Sequence, residues 1–328
     1  MSRQRATAFV PGHVTAFFSA HPAEQPAAAG SRGAGVTLSD GVTVRVSAAD
    51  ETIESRADGT LEVDAADIAD DADTARTGAD TARTGAASTT VDGESGRIGA
   101  VDDVLTGLGL DAAVDVVVES DVPIGAGFGV SGAAALGAAL AANDAFDRGR
   151  SENELVRLAH GAEVRRGTGL GDVVAQARGG VPIRLEPGAP GFGELDGIPA
   201  TARVEYVTFG ELSTEAVLGG DTAALSAAGE RALDRLRDDP RLPTLMDTAR
   251  EFAREADLLV PEVAEAIDAV ESAPERDGRP GDCGAAMAML GRSVFALGTG
   301  LSDAGYDPSV CHTHPSGASL VGDGGAPR

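Results

Sequence analysis

Ala113-Val114-Asp115-Val116-Val117-Val118-Glu119 is followed by Pro123-Ile124-Gly125-Ala126-Gly127-Phe128-Gly129-Val130-Ser131-Gly132, and then by an alanine and leucine run from Ala133 to Ala142. The first segment is β-branched and mostly apolar, which predicts a strand. The last predicts a helix. Between them a glycine-rich turn feeds a helix N-terminus, which makes an anion site: glycines let backbone N–H groups approach a phosphate, and unsatisfied first-turn donors carry partial positive charge. Ser131 adds a hydroxyl suited to a phosphate oxygen or to Mg²⁺.

Three readings of the turn compete. It can be a close-packed corner that needs small residues. It can be a dinucleotide site, because Gly127-x-Gly129-x-x-Gly132 matches G-x-G-x-x-G; the acidic partner expected about twenty residues on then falls in Ser151-Glu152-Asn153-Glu154, which reads as a helix start. It can also bind a nucleoside triphosphate, although not as a Walker loop, since that motif requires a lysine and the chain contains none.

The chain has 328 residues, room for two domains with real cores. It carries 52 acidic against 26 basic residues, a formal net charge of −26, with aromatics at 3 %. Such a field disfavours nucleic acid and anionic membranes as partners. The acidic, lysine-free balance is similar to proteins of salt-loving organisms, in which dissolved salt screens self-repulsion. Cys283 and Cys311 make no disulfide framework, so a reducing cytoplasm is expected, with no signal peptide or membrane span. Cys311-x-x-His314 lacks a second ligand pair, so zinc is not expected.

Along the chain, Ala6 to Val10 predicts a first strand ending at Pro11-Gly12-His13. Asp40-Gly41 predicts a hairpin turn inside Val36 to Val46. Residues 65–97, with a heptad repeated at once (Ala72 to Gly78, Ala79 to Gly85), read as a low-complexity surface insertion. Ser151 to Glu154 is a capping box that opens a helix with Leu155, Leu158, Ala159 and Ala162 inward, and with His160 and Glu163 one turn apart. Gly167-Thr168-Gly169-Leu170-Gly171-Asp172 is a second glycine-rich turn, and Gly179 to Arg184 brings in another strand. A domain boundary is placed in Pro187 to Pro199. Then follow a strand at Val204 to Phe209, helices at Thr222–Arg237, Pro243–Glu255 and Pro261–Ser272, a small-residue helix over Asp282 to Ala296, and a frayed tail from Gly317.

Phosphoryl transfer needs a phosphate cradle, metal ligands and a carboxylate that orients the attacking hydroxyl. Ser131 and Glu163 are candidates to share a Mg²⁺, and Asp172 to act as the base. Pro-x-Gly-x-Gly-x-Gly-x-Ser before an alanine-rich helix resembles the phosphate loop of the GHMP kinases (galactokinase, homoserine, mevalonate and phosphomevalonate kinases), which dispense with a P-loop lysine. Ala8-Phe9-Val10-Pro11-Gly12-His13-Val14-Thr15-Ala16-Phe17-Phe18, Gly30 to Gly35, Leu170 to Gln176, Gly179 to Arg184 and Met287 to Phe295 are similar to motifs of an archaeal branch of that superfamily, the pantoate kinases.

The resemblance implies an α+β, two-domain GHMP kinase fold: a ribosomal-protein-like N-terminal ATP-binding domain over 1–190, a ferredoxin-like α+β C-terminal domain over 200–316, and a tail over 317–328. It implies phosphorylation of the pantoate 4-hydroxyl by ATP with Mg²⁺, in coenzyme A synthesis. By the same resemblance Pro123, Gly125, Gly127, Phe128, Gly129, Ser131 and Gly132 would bind ATP; Asp172, Glu163 and Ser131 would be catalytic, with Ser131 and Glu163 on the metal; and Ser31, His160 and Arg184 would hold pantoate. The expected partners are these small molecules, and a homodimer is one assembly open to the chain. His13 reads equally well as a satisfied core histidine. Arg157, Arg165, Arg166, Arg178 and Arg184 form a basic island in sequence that could steer anions. Another GHMP kinase acting on homoserine, mevalonate or shikimate, an NAD-dependent oxidoreductase and a non-catalytic ATP-binding regulator remain open as alternatives.

Overall fold

The computed structural model describes residues 4–49, 88–110, 114–210, 222–273, 283–289 and 291–322. Its frame is a long antiparallel pair, Arg5–His21 (β1) and Gly30–Ala48 (β2), in register from Arg5 opposite Ser47 to His21 opposite Gly30. The predicted turn at Asp40-Gly41 is corrected. Pro11 faces Gly41 while Gly12 faces Leu38, so Ser39 and Asp40 bulge out and β2 runs on. Two extra residues preserve the alternation of two, and Val36, Leu38, Val42, Val44 and Val46 all stay buried on one face. For the same reason β1 does not stop at Pro11-Gly12-His13, because the bulge absorbs the irregularity.

The strand read from Ala113 to Glu119 is Val114–Ser120 (β5), antiparallel to β2. The helix after the glycine turn is Val130–Ala145 (α2). It lies on β1 and β2, where Gly137 is so close that an added Cβ would come 2.6 Å from Val44. Gly99–Gly107 (α1) and Glu152–Arg166 (α3) flank it. The Ser151 capping box is formed, with Ser151 and Glu154 each capping the other's backbone N–H.

Most of the 65–97 insertion lies outside the described residues, but its end is corrected. Ser88–Val91 (β3) pairs in parallel with β5 and returns as Glu94–Ser95 (β4) across Asp92-Gly93, both at positive φ. Thr89-Thr90-Val91 is β-branched, and the polar composition around it hid a strand and a hairpin turn. Asp172–Arg178 (α4) leads into Val181–Glu186 (β6), which pairs with the start of β2, and Glu194–Ile198 (β7) pairs with β6. The Pro187–Pro199 boundary therefore contains a strand of the first sheet. The tail is corrected as well: Ser319–Val321 (β12) is an edge strand on β1, too short to leave a period in the sequence.

Arg203–Thr208 (β8) opens the second unit, followed by Ala223–Asp238 (α5), Leu242–Glu255 (α6) and Pro261–Ser272 (α7). The helix expected over 282–296 is instead the hairpin Gly284–Ala288 (β9) and Ser293–Leu297 (β10). Both strands are almost wholly buried, so the run has no polar face, and helix and strand leave the same pattern in such a run. After the short helix Gly300–Asp303 (α8) comes Ser309–His312 (β11). The sheet order β11-β8-β10-β9 gives a βαββαβ arrangement in which the first and third strands are central, as in ferredoxin-like folds.

The two units meet along β1. The Met289 N–H donates to the Thr15 carbonyl, Phe252 packs on Phe18 at 5.9 Å between ring centroids, and Ser19, His21 and Arg32 converge on Glu230 of α5. Among the described residues no helix is long and apolar enough to cross a membrane.

Candidate active site

The turn after β5 alternates in hand, with Gly125, Gly127 and Gly129 at φ of 74, 92 and 68°. That alternation is closed to other residues without strain and gathers backbone N–H groups into a concave nest. Gly129 caps α2 without any side-chain acceptor, and the first bond within the helix is Ala133 N–H to Gly129 C=O, which leaves the preceding N–H groups open. Carbonyls of the loop are instead taken up by the scaffold. His13 N–H donates to Phe128 O at 3.0 Å, Gln176 Nε2 to Gly129 O at 2.9 Å, and Ser293 Oγ to Ala126 O at 2.8 Å. The β9–β10 turn presses on the loop from the second unit, where any Cβ at Gly291 would collide with the Ala126 carbonyl.

Beside the nest lies a cavity of about 350 Å³ lined by Thr15, Phe18, Ser31, Ile124, Gly125, Gly127 to Gly132, Glu163, Thr168 to Asp172, Arg184 and Met289. Of the residues singled out in the sequence, it gathers Gly125, Gly127, Phe128, Gly129, Ser131, Gly132, Ser31, Glu163, Asp172 and Arg184. Pro123 is not on its wall. Neither is His160, which is buried, with its Nε2–H donating to the Ala29 carbonyl at 2.8 Å. It supports the strand that carries Ser31 from behind. The basic island disperses: Arg166 binds Asp103, Arg157 reaches the Asn153 carbonyl, and Arg184 alone of the five lines the cavity.

Three electrostatic features define the cavity. Ser131 Oγ donates to Glu163 Oε1 at 2.6 Å. Burial pushes the Glu163 carboxyl up to about 7; the hydrogen bonds from Ser131 and Thr168 oppose this, and the charge of Asp172 adds to it. Asp172 opens α4 and keeps about a quarter of its side chain exposed, with Oδ1 2.8 Å from His13 Nδ1. Burial would raise its pKa, but the hydrogen bond from His13 and the positive field of Arg184 prevail and hold it below the usual carboxylate range.

The third feature is Arg184. It is 1 % exposed, and its Nε and Nη1 have no hydrogen-bond partner. Burial lowers its pKa to about 10, against the pull of Asp172, so the guanidinium stays charged at neutral pH. Ser31 Oγ shares its corner: a Cβ on Gly171 would collide with Ser31 Oγ and lie 2.6 Å from Arg184 Nε. A buried cation with open donors beside a hydroxyl is chemically suited to a carboxylate.

The dinucleotide reading fails on topology. The helix after the glycine turn is followed by two further helices and then by β6, which pairs with β2 at Gly33 and Ala34 and not with β5; the parallel neighbour of β5 among the described residues, β3, precedes the turn, so the described residues form no βαβ unit across it. His13 is what sequence reasoning missed, for its partner lies 159 positions away.

Known proteins resemble this chain over most of its length. The family model described as "GHMP kinases N terminal domain" matches residues 97–180. The chain is 36% identical over 296 residues to the pantoate kinase of Thermococcus kodakarensis, covering 88% of this chain and 86% of that one. It is 30% identical over 300 residues to the pantoate kinase of Methanospirillum hungatei, covering 91% and 89%. A solved structure titled "Phosphotransferase related to CoA biosynthesis pathway" superposes with a TM-score of 0.75 at 30% identity, covering 96% of this chain and 98% of that one.

Proposed function

The chain belongs to the pantoate kinases of the GHMP kinase family, and on that premise we propose that it transfers the γ-phosphoryl group of ATP to the 4-hydroxyl of pantoate. The observation that carries the substrate assignment is Arg184, a buried guanidinium with open donors on the wall of the cavity that the glycine-rich loop also lines. It calls for an anionic acceptor. Pantoate offers a carboxylate for Arg184 and Ser31 while presenting its far hydroxyl to Asp172. The first sheet and its helices would hold ATP, and the second unit would close the acceptor pocket.

In this reading the loop N–H groups from Gly125 to Gly132 take the nucleotide phosphates. Asp172, held as a carboxylate, accepts the hydrogen bond of the 4-hydroxyl and takes its proton as the new O–P bond forms and the bond from the γ-phosphorus to the β,γ-bridging oxygen breaks. His160 serves by fixing Ala29 behind Ser31.

The Ser131–Glu163 pair fits Mg²⁺ chemically: both are oxygen donors, they lie 2.6 Å apart, and they sit at the lip of the nest. Among the described residues no cluster of three or more metal-binding side chains occurs, so the remaining ligands would come from phosphate and water. When bound, the cation neutralises charge on the phosphate oxygens. A pH effect follows. The Glu163 carboxyl, at about 7, is half protonated near neutrality, and a cation requires the carboxylate. Apparent Mg²⁺ affinity with an ATP analogue is therefore expected to fall about tenfold per unit below pH 7 and to level off above about pH 8. Calorimetric titration from pH 6 to 8 reads this directly. Glu163→Gln should remove the part of the slope that the nucleotide itself does not cause, and equal slopes in both proteins would contradict the assignment.

Phosphorus NMR of a mixture of enzyme, ATP, Mg²⁺ and pantoate tests the function, with a phosphomonoester on the 4-oxygen as the expected product. Turnover of mevalonate or homoserine without turnover of pantoate would overturn it.

A further inference from the structure

His13 meets both halves of the site at once. Its backbone N–H donates to the Phe128 carbonyl in the phosphate loop, and its ring Nδ1 lies 2.8 Å from Asp172 Oδ1. The ring is fully buried. Since Asp172 is an acceptor, Nδ1 carries the hydrogen. Nε2 has no partner and faces Gly35, where an added Cβ would lie 2.5 Å from it. A buried imidazolium would leave an N–H donor unsatisfied there, so the neutral Nδ1–H tautomer is the form that fits. Thr15 Oγ1, at 3.5 Å from Nδ1, is too far to compete.

We propose that His13 is a positioning residue for phosphoryl transfer, and that by engaging Oδ1 it leaves Oδ2 of Asp172 as the oxygen presented to the acceptor hydroxyl. The bond fixes the carboxylate against rotation about its terminal torsion, which is otherwise broad. The same residue's main chain fixes the loop that holds the donor phosphate, so one residue of β1 sets the spacing between base and phosphate nest. Oδ2 points the right way: it lies 3.6 Å from a Cβ built on Gly169, on the cavity wall and on the side where Glu163 Oε2 also sits. Geometry of this kind is worth much in a reaction that depends mainly on alignment.

The inference rests on Asp172 being the acceptor-orienting group, and the test separates the two. His13→Leu removes the donor at similar volume, whereas His13→Asn returns an N–H near the Nδ1 position. His13→Leu is expected to lower kcat about 10²-fold, within the usual range for acid–base positioning, with KM for ATP and pantoate within about twofold, and His13→Asn to recover most of the rate. An unchanged kcat, a change confined to KM, or an Asn variant as slow as the Leu variant would overturn the role. Should His13→Leu not fold, ¹⁵N NMR of the wild-type enzyme decides. Of its five histidines, the one absent from the His13→Asn spectrum should show a protonated Nδ1 and a bare Nε2, and the opposite tautomer or an imidazolium would refute the proposal. A fully active Asp172→Asn would instead remove the premise.

Discussion

Asp172→Asn is expected to cut turnover about 10³-fold while leaving ATP affinity within a few-fold of wild type. The change is isosteric and keeps an oxygen to accept the His13 Nδ1–H, so the helix start and the neighbouring loop stay in place. What disappears is a carboxylate that the surroundings keep ionised despite its burial. With the amide oxygen turned to His13, the amide nitrogen faces the hydroxyl and can neither accept its hydrogen bond nor take its proton, and general-base contributions run to about 10²–10⁴. A loss of 10³ corresponds to about 4 kcal/mol in the barrier. ADP release measured beside fluorescence titration with an ATP analogue separates rate from binding. Activity within tenfold of wild type would place the base elsewhere.

Arg184→Met should act on the other substrate. A carboxylate gripped by a guanidinium that is itself 99 % out of solvent loses about 3 kcal/mol when the cation goes, so kcat/KM for pantoate should fall about 10²-fold or more, mostly through KM. Affinity for the ATP analogue should hold. Arg184→Lys should not rescue, because an ammonium cannot present two parallel donors to a carboxylate. The free enzyme should gain from the same change. Two unpartnered buried donors, Nε and Nη1, each cost about 1–3 kcal/mol in desolvation, and a methionine fills the space without them. Arg184→Met is thus expected to unfold at a higher temperature than wild type while working worse, the trade expected of a site built to wait for an anion. A normal KM for pantoate, or lowered thermal stability with a normal KM, would show that the guanidinium serves the fold instead.

Much of this site was legible before any coordinates. The strand, glycine turn and alanine helix could be read because they are local signals, each set by backbone freedom or propensity within a few residues. Glu163 could be placed from the capping box at Ser151, since helical periodicity carries forward from a fixed start. Asp172 followed from its glycine-rich turn. The readings that needed correction share one cause. The Ala/Met run at 284–297, the bulge at Ser39 and Asp40, and the edge strands at Ser88 and Ser319 are defined by what they pair with or are covered by, and sequence spacing does not record that.

What the sequence alone determined was the chemistry available: a lysine-free, glycine-rich turn from Gly125 to Gly132 ahead of a helix N-terminus, two carboxylates in order behind it, and an arginine on the following strand. Only the tertiary structure decided their arrangement. It turned His160 away from the cavity, singled out Arg184 from a run of arginines, and brought His13 of the first strand onto Asp172 across 159 residues. The physical reason is that propensity and periodicity act over a few residues. Burial, orphaned donors and the partner of a buried imidazole are fixed only when distant strands close on one another.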